Sequence, residues 1–356
     1  MKLTIILLTS LVAAVALSSI GTAHTFFGGS WAGQKANMYA SRVSFPVGSS
    51  YRTALGTIES RFRYEQPSQI YFDMFYDDPS VSLTNGHSET WFSADAQFDP
   101  AVAFNIVENG IIVSGDIVFY NGENYTTSTQ KTAIEAYGGN RRPFETMALH
   151  EFCHVAGLGH EDDEYNIMGE DFTHITCNGS RYRSYIGEDA ANGLVSLHGY
   201  FNGIVGEDLG VTLFKRTGQL PGGYSDHDKC LMFSPWGPLL PSTAFNGQRR
   251  YNVSPGETVD VEFTYENNGG SYQSGVALGF YISTNSYISK YDTRISSQTI
   301  NLGRDNVYTG KRKVTIPTNL MVGRTLYLGV IIDDDSSLPH ESSEDNNAAY
   351  HIIKIN

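Results

Sequence analysis

The sequence HEFCHVAGLGH at residues 150–160 constrains this chain more than any other stretch. A helix is predicted to begin at residues 143–145, and His150 and His154 lie four apart on one of its faces, so both imidazoles can bind a single ion. Gly157 permits a backbone with positive φ, which ends the helix and turns the chain back so that His160 supplies a third nitrogen. Three His ligands leave the fourth position of a zinc ion open for water, as in a catalytic site.

Chance is the alternative explanation of this pattern, because some helical His pairs are only surface residues. The pattern has five fixed positions, which are His150, Glu151, His154, Gly157 and His160. All five coincide by accident on the order of once in 10^4 to 10^5 such chains, so the pattern is highly specific. We therefore expect one catalytic Zn2+ ion held by His150, His154 and His160, with Glu151 beside the same ion.

The motif resembles the metzincin signature, and Met168, eight residues after the third His, matches the Met-turn of that clan. The strings SGDIVFYNGENYT (114–126) and IGEDAANGLVSLHG (186–199) are similar to the matrixin branch in particular. The resemblance covers roughly residues 30–200. It implies a zinc metalloendopeptidase that hydrolyses protein or peptide bonds, with Glu151 as the general base.

The sequence departs from the matrixin pattern at several positions. Val118 stands where that family has a His that binds a second, structural zinc, so no second zinc is expected. Residues 120–123, where matrixins have a calcium-binding acidic cluster, contain a single carboxylate, Glu123, which leaves Ca2+ binding open. Gly169 follows Met168, so the pocket wall that this segment contributes in matrixins is expected to be built differently in this chain. No Cys precedes Cys153, hence no Cys-containing propeptide is available to ligate the zinc.

The three cysteines leave two interpretations open. Cys153 is either a small buried apolar residue or the partner of Cys177 in a disulfide, which export of the chain would favour. Cys230 is left over in the second case.

The N-terminus has the layout of a signal peptide. Lys2 precedes an uncharged apolar stretch at residues 3–17, and the small residues 21–23 follow, so cleavage is predicted after Ala23. The apolar run is shorter than the ~20 residues that span a bilayer, so we expect a secreted protein, extracellular or in the cell envelope, with no membrane span after signal removal.

These features divide the chain into three predicted parts. They are a signal peptide at 1–23, a matrixin-like catalytic domain at 24–203, and a linker with a β-sandwich at 204–356. The fold class is α+β, in which a mixed twisted sheet and the active-site helix precede an all-β Ig-like sandwich. Residues 202–255 are rich in Gly, Pro and short polar residues and are interpreted as a linker with an irregular domain start.

Local patterns predict several elements of the catalytic domain. Ser49 and Ser50 are expected to cap a helix that runs through about Tyr64, and a last helix is expected from Gly187 to about His198. The pair Asn109-Gly110 predicts a hairpin between two strands. If the second of these strands, residues 111–120, forms the sheet edge above the helix, it would bind an extended substrate through backbone hydrogen bonds.

The last third of the chain is a series of alternating or β-branched runs separated by turn residues, the pattern of a β-sandwich. It resembles the Ig-like adhesion module called CARDB, over about residues 206–356. The resemblance implies binding of a surface, polymer or protein, without chemistry. Six carboxylates at residues 333–345 are consistent with a calcium site, but their spacing fits no EF-hand, and a solvated loop is favoured.

Charge narrows the range of partners. The chain has 24 Lys plus Arg against 38 Asp plus Glu and a formal charge of -14. With no basic run, this balance argues against nucleic acid and against anionic lipid as partners. A protein or peptide substrate is therefore the expected partner of the catalytic domain.

Two other functions are left open. One is a surface or polymer-binding adhesin with a vestigial metzincin domain, which the intact Glu151 argues against because a decayed site usually loses its base. The other is a zinc hydrolase of a non-peptide amide, which has the same motif. Chelator-sensitive cleavage of a mixed protein substrate separates the peptidase from both alternatives.

Overall fold

The computed structural model describes residues 24–170, 172–201, 206–235, 237–304, 306–338 and 340–356. The predicted signal peptide and the boundary predicted at residue 204 lie outside the described residues. We call residues 24–201 the N-terminal half and residues 206–356 the C-terminal half. No helix in the described ranges has the length and apolar character needed to cross a membrane.

The helices of the N-terminal half begin and end where local sequence signals predict. They are α1 (Ser50–Tyr64), α2 (Phe144–Val155) and α3 (Glu188–His198). The Ser49 hydroxyl caps α1 by accepting the amide N–H of Arg52 at 3.1 Å, which confirms the predicted helix start. Every residue of α2 is buried, so this helix runs through the centre of the N-terminal half.

One mixed sheet supports these helices. Its strands are β1 (Ser30–Trp31), β2 (Lys35–Ser41), β3 (Tyr71–Asp78), β4 (Glu89–Ser93), β5 (Ala101–Glu108) and β6 (Ile111–Tyr120). The order is β1-β6-β4-β2-β3, and β5 pairs antiparallel with β6. Asn109 and Gly110 both have positive φ, at 53° and 79°, and connect β5 to β6 in the predicted hairpin.

The sheet edge differs from the prediction. Strand β6 pairs with β4 on one side and with β5 on the other, so it lies inside the sheet. Among the described strands β5 pairs with β6 alone, which makes β5 the edge next to α2. The condition that residues 111–120 form the sheet edge is therefore not met, because the hairpin at Asn109-Gly110 pairs β5 with the side of β6 that β4 does not cover.

Two short strand pairs complete the N-terminal half. They are β7 (Tyr125–Thr126) with β8 (Arg142–Pro143), and β9 (Ile175–Asn178) with β10 (Arg181–Ser184). Strand β9 of the second pair also contacts strands of the C-terminal half.

The C-terminal half consists of strands from its start. They are β11 (Leu209–Thr212), β12 (Phe214–Leu220), β13 (Tyr224–Lys229), β14 (Met232–Phe233), β15 (Ser242–Phe245), β16 (Gln248–Val253), β17 (Thr258–Asn267), β18 (Gln273–Ser283), β19 (Thr293–Leu302), β20 (Val307–Thr315), β21 (Thr325–Ile332) and β22 (Ala348–Ile355). Six of them fall within residues 202–255, so the interpretation of that stretch as a linker with an irregular start is wrong. Pro221, Gly222, Gly223 and Gly247 stand in turns between these short strands.

Two sheets of the C-terminal half share one hydrophobic core. In the first, β17 pairs with β11, β14 and β20, and the second has the order β15-β16-β22-β21-β18-β19. Apolar side chains of both sheets, such as Phe263 of β17 and Phe280 of β18, are fully buried in one cluster. The strand-rich pattern predicted for this half is confirmed, while its Ig-like topology stays a prediction.

Buried polar contacts join the two halves. The Thr176 hydroxyl donates to the carbonyl of Val211 at 3.0 Å, and the Thr212 hydroxyl donates to that of Ile175 at 2.7 Å. His174 and Glu266 lie 3.8 Å apart, and neither side chain is exposed to solvent. The halves therefore meet through an interface with its own hydrogen bonds.

Candidate metal centre

Helix α2 and the turn after it bring the three histidines together. His150 and His154 are one turn apart on α2, and their ring centroids are 4.5 Å apart. The His160 ring lies 5.5 Å from the first and 4.7 Å from the second. One nitrogen of each side chain lies within 4.8 Å of the others, a spacing that a single ion can bridge.

Gly157 makes the return of the chain to His160 sterically feasible. Its φ is 108°, a value that residues with a side chain rarely adopt, as the sequence predicted for this position. A Cβ here would also stand 2.7 Å from the carbonyl oxygen of Gly29. Both the backbone conformation and the close packing therefore require glycine after α2.

Each of the three imidazoles is held through Nδ1. His150 donates to the carbonyl of Ile167 at 2.6 Å, and His154 donates to that of Leu158 at 2.8 Å. His160 donates to the carbonyl of Gly222 at 2.9 Å. Because Nδ1 carries the proton, Nε2 of each ring keeps the lone pair that a metal ion needs. The donor set therefore fits one Zn2+ ion with an open coordination position.

Burial keeps the three rings neutral. The pKa of His150 falls to about 3, because burial disfavours the charged imidazolium and a charge on His160 would repel it. Burial, together with His150 and His160, places the pKa of His154 well below its usual range. Burial also lowers the pKa of His160. Neutral imidazole is the protonation state that binds a metal ion.

Glu151 and Met168 are both buried in the N-terminal half. Glu151 follows His150 on α2 and is only 4% exposed. Met168 is buried in the same apolar cluster as Leu149 and Phe152 of α2. The carbonyl of Ile167, next to this methionine, accepts the N–H of His150, so the segment also orients a histidine.

A hairpin of the C-terminal half reaches the same centre, and the sequence did not predict this. Strands β12 and β13 form an antiparallel pair whose turn, Pro221 to Gly223, presents the Gly222 carbonyl to His160. The ring of Tyr224 lies 3.7 Å from the His160 ring. Adjacent glycines between two short alternating runs are a hairpin signal, but they do not reveal what the hairpin contacts.

The cysteines are free and buried, all three of them. Cys153 lies in the apolar cluster of α2, whereas Cys177 lies in a separate cluster with Tyr137 and Phe214. The Cys177 thiol donates to the carbonyl of Arg181 at 3.1 Å. The disulfide considered for Cys153 and Cys177 is not formed, and the buried apolar interpretation of Cys153 agrees with the structure.

The acidic loop at residues 333–345 uses its carboxylates in contacts with other protein groups. In the acidic loop, the Asp333 carboxylate accepts the amide N–H of Ser337 at 2.9 Å, and Asp334 accepts the Tyr281 hydroxyl at 2.5 Å. Glu341 accepts the amide N–H of Leu209 at 2.8 Å. Glu344 accepts the Asn347 amide at 3.1 Å, and Asp345 pairs with Arg183, so five of the six carboxylates have protein partners, as expected of carboxylates that stabilise a loop.

The comparison with protein families identifies the stretch around this centre. Residues 69–199 match the model of the matrixin family, peptidases of family M10. The N-terminal half contains a matrixin-like domain. The match includes α2, the three histidines and α3, and ends before the hairpin of β12 and β13 begins. A metalloprotease kind of function follows for the matrixin-like domain.

Comparisons over other parts of the chain give weak likenesses. Among curated proteins none matches the sequence. A solution structure of the CARDB domain of PF1109 from Pyrococcus furiosus is 15% identical with a TM-score of 0.26, covering 43% of this chain and 97% of that one. OgpA from Akkermansia muciniphila is 12% identical with a TM-score of 0.24, covering 96% and 97%. These TM-scores are too low to define a shared fold, so no argument rests on them.

Proposed function

We propose that this protein is a secreted zinc endopeptidase that hydrolyses protein or peptide bonds. The observation that carries the proposal is the convergence of the three neutral imidazoles, each held by a hydrogen bond from Nδ1. Glu151 lies on α2, the helix that also carries His150 and His154. Three nitrogen ligands and a neighbouring carboxylate are the parts that metal-assisted hydrolysis requires.

The residues of the chain divide the chemistry between them. Bound zinc would lower the pKa of its water toward ~7 and polarise the scissile carbonyl. His150, His154 and His160 hold the ion through Nε2. Glu151 accepts a proton from the attacking water and delivers it to the nitrogen of the leaving amine. The water oxygen forms a bond to the carbonyl carbon, and the bond between that carbon and the nitrogen breaks.

The edge strand β5 is the proposed substrate platform. The Asn105 amide donates to the carbonyl of His154 at 2.7 Å, which ties this strand to the end of α2. An extended peptide that adds to β5 through backbone hydrogen bonds would pass beside the histidines. Phe104, Ile106 and Val107 are exposed along the strand, which favours substrates with apolar side chains.

The export of the protein is a separate part of the proposal. It is supported by the apolar stretch at residues 3–17 followed by small residues. N-terminal sequencing of protein recovered from the medium or the envelope should begin at His24, and recovery of the uncleaved chain from the cytoplasm would contradict it.

Glu151→Gln tests the proposed mechanism directly. The amide has nearly the same size but cannot accept the proton, so cleavage of casein should fall by at least about 100-fold. The zinc content of the variant should remain one ion per chain, because the His ligands are unchanged. Glu59→Gln, which alters a carboxylate on α1 instead, should cleave casein at the wild-type rate.

Three results would contradict the proposal. Casein cleavage by Glu151→Gln at the wild-type rate would remove the general-base role. Cleavage by the wild-type protein that a strong chelator does not abolish would remove the metal from the reaction. Binding of zinc without any cleavage of a mixed protein substrate would favour the adhesin alternative.

A further inference from the structure

The hairpin of β12 and β13 (residues 214–229), here called the docked hairpin, packs on the loop that carries Met168. The amide N–H of Ser225 donates to the carbonyl of Glu161 at 2.8 Å. The amide N–H of Glu170 donates to the carbonyl of Ser225 at 2.9 Å. Strand β13 is therefore bonded through its backbone to both ends of the loop at residues 161–170.

Gly169 shows how close this packing is. A Cβ built on Gly169 would stand 1.8 Å from Oγ and 3.0 Å from Cβ of Ser225, and 3.1 Å from Nε2 of His227. The Ser225 hydroxyl and His227 Nε2 are 2.9 Å apart, and His227 Nδ1 lies 3.2 Å from the Thr173 hydroxyl. The docked hairpin thus occupies the place where a side chain after Met168 would otherwise lie.

The turn of the docked hairpin reaches the third histidine. The Gly222 carbonyl accepts the Nδ1–H of His160 at 2.9 Å. The Tyr224 ring lies on His160, with centroids 3.7 Å apart and planes at 33°, and its centroid is 6.0 Å from that of His150. Two groups of one hairpin therefore fix both the rotation and the tilt of the His160 ring.

His160 depends on such support more than the other two ligands. His150 and His154 belong to α2, whose backbone hydrogen bonds fix their Cα positions. His160 lies in a segment without helix or strand, and it is the least buried of the three. A ligand on irregular backbone keeps its orientation only through contacts with neighbouring groups.

We propose that the docked hairpin is part of the zinc site and that Tyr224 is a positioning residue, whose ring holds His160 in the orientation that binds the ion. The proposal rests on the proposed function in that the three histidines must bind zinc. It assigns a role in the metal centre to a segment that follows the stretch matching the matrixin family.

Zinc affinity of the full chain tests the proposal without reference to catalysis. Loss of a group that orients a metal ligand typically weakens metal binding by about 10- to 100-fold. We expect that effect for Tyr224→Ala in competition with a chromophoric chelator, and we expect Tyr224→Phe to bind zinc as tightly as the wild type. Tyr291→Ala, which removes a ring that is 99% exposed in the C-terminal half, is the matched control.

A second readout separates positioning from misfolding. The cobalt-substituted Tyr224→Ala variant should show a visible absorption spectrum altered from that of the wild type, since the geometry of the third ligand has changed. Near-ultraviolet circular dichroism of the metal-free variants should remain like that of the wild type, apart from the removed ring. Tyr224→Phe should restore the wild-type cobalt spectrum.

The outcomes are distinguishable. Wild-type zinc affinity and an unchanged cobalt spectrum in a folded Tyr224→Ala variant would overturn the positioning role. Equal weakening in Tyr224→Phe would assign the effect to the hydroxyl and overturn the role of the ring. Wild-type protein that binds no stoichiometric zinc would instead overturn the proposed function itself.

Discussion

Each metal-site histidine is held by a partner at a different distance along the chain. His154 donates to a carbonyl four residues away, and His150 donates to one 17 residues away. His160 donates to a carbonyl 62 residues away. The first contact is part of the helix end, the second belongs to the Met168 loop, and the third requires the C-terminal half to be folded.

Gly169→Ala should disturb the contact between the Met168 loop and the docked hairpin. The added Cβ would overlap the Ser225 hydroxyl, so either the side chain or the strand must move. We expect the free energy of unfolding to fall by about 1–3 kcal/mol, measured by urea denaturation.

Gly218→Ala is the matched control for this substitution. Gly218 lies on the docked hairpin, and a Cβ there would meet no atom within 4 Å. Equal stability of the two variants would show that the close approach at Gly169 has no energetic consequence. Replacing Ser225 by Ala in the Gly169→Ala background should recover part of the loss, because the nearest atom is removed.

The sequence predicted the role of residues whose conformation depends on residues close to them in the chain. The spacing of His150 and His154 follows from helix geometry, and the turn at Gly157 follows from the backbone freedom of glycine. The role of Tyr224 follows from neither, because it depends on packing between segments far apart in the sequence. No local pattern around Tyr224 distinguishes it from an ordinary strand tyrosine.

At the scale of elements, the strand β11 is clamped to the loop at residues 341–347 by a buried carboxyl group. Asp208, 5% exposed, accepts the Asn268 amide at 2.8 Å and the Asn346 amide at 3.0 Å. Burial raises the pKa of Asp208 to about 7, although the two amides favour its charged form. Between the ordinary Asp pKa of ~4 and this raised value, the folded state therefore binds a proton that the unfolded chain has already released.

This clamp predicts that stability decreases as pH rises. Between the ordinary Asp pKa of ~4 and the raised value, the folded state binds more protons, so the free energy of unfolding falls with increasing pH. The loss attributable to Asp208 should be on the order of 2–4 kcal/mol between pH 4 and pH 8. It is largest above the raised pKa, where the folded state must hold the charged carboxylate.

Asp208→Asn isolates this contribution. Asparagine stays neutral, so urea denaturation of the variant at pH 4 and pH 8 should show a smaller decline than the wild type does. Asp345→Asn, which changes an exposed carboxylate of the neighbouring loop, should keep the wild-type decline. Parallel declines in Asp208→Asn and the wild type would contradict the assignment.

Elements that begin or end at a capping residue or a turn residue were predictable from the sequence, whereas the pairing of strands in the sheet was not. The Ser49 cap and the turn at Asn109-Gly110 specify where α1 starts and where β5 meets β6. Which strand forms the edge depends on pairing across the sheet, and the sequence of β6 gives no sign that both of its sides are paired. The continuous burial of residues 114–119 is a result of this pairing and is seen only in the structure.

At the scale of the whole molecule, the two halves should unfold together. Hydrogen bonds from Thr176 and Thr212 cross the interface, and Asn178 bonds both the amide and the carbonyl of Ile288, at 2.7 and 2.9 Å. Exposing these buried groups in one half would leave the other half with unpaired polar atoms. We therefore expect a single calorimetric transition whose calorimetric and van't Hoff enthalpies agree.

The zinc dependence of this transition provides the corresponding control. Because the docked hairpin links the C-terminal half to His160, added zinc should raise the midpoint of the whole transition. Two separate transitions, of which zinc shifts the first alone, would contradict the coupling of the halves.

The contact between Gly222 and His160 has a consequence for how such a protein can be inherited. If the halves were independent modules, recombination could replace the C-terminal half by another domain and leave a working enzyme. Because that half supplies one side of the candidate metal centre, the replacement would remove the support of His160, and a new partner domain would need an equivalent hairpin. The two halves are therefore expected to descend together as one heritable unit.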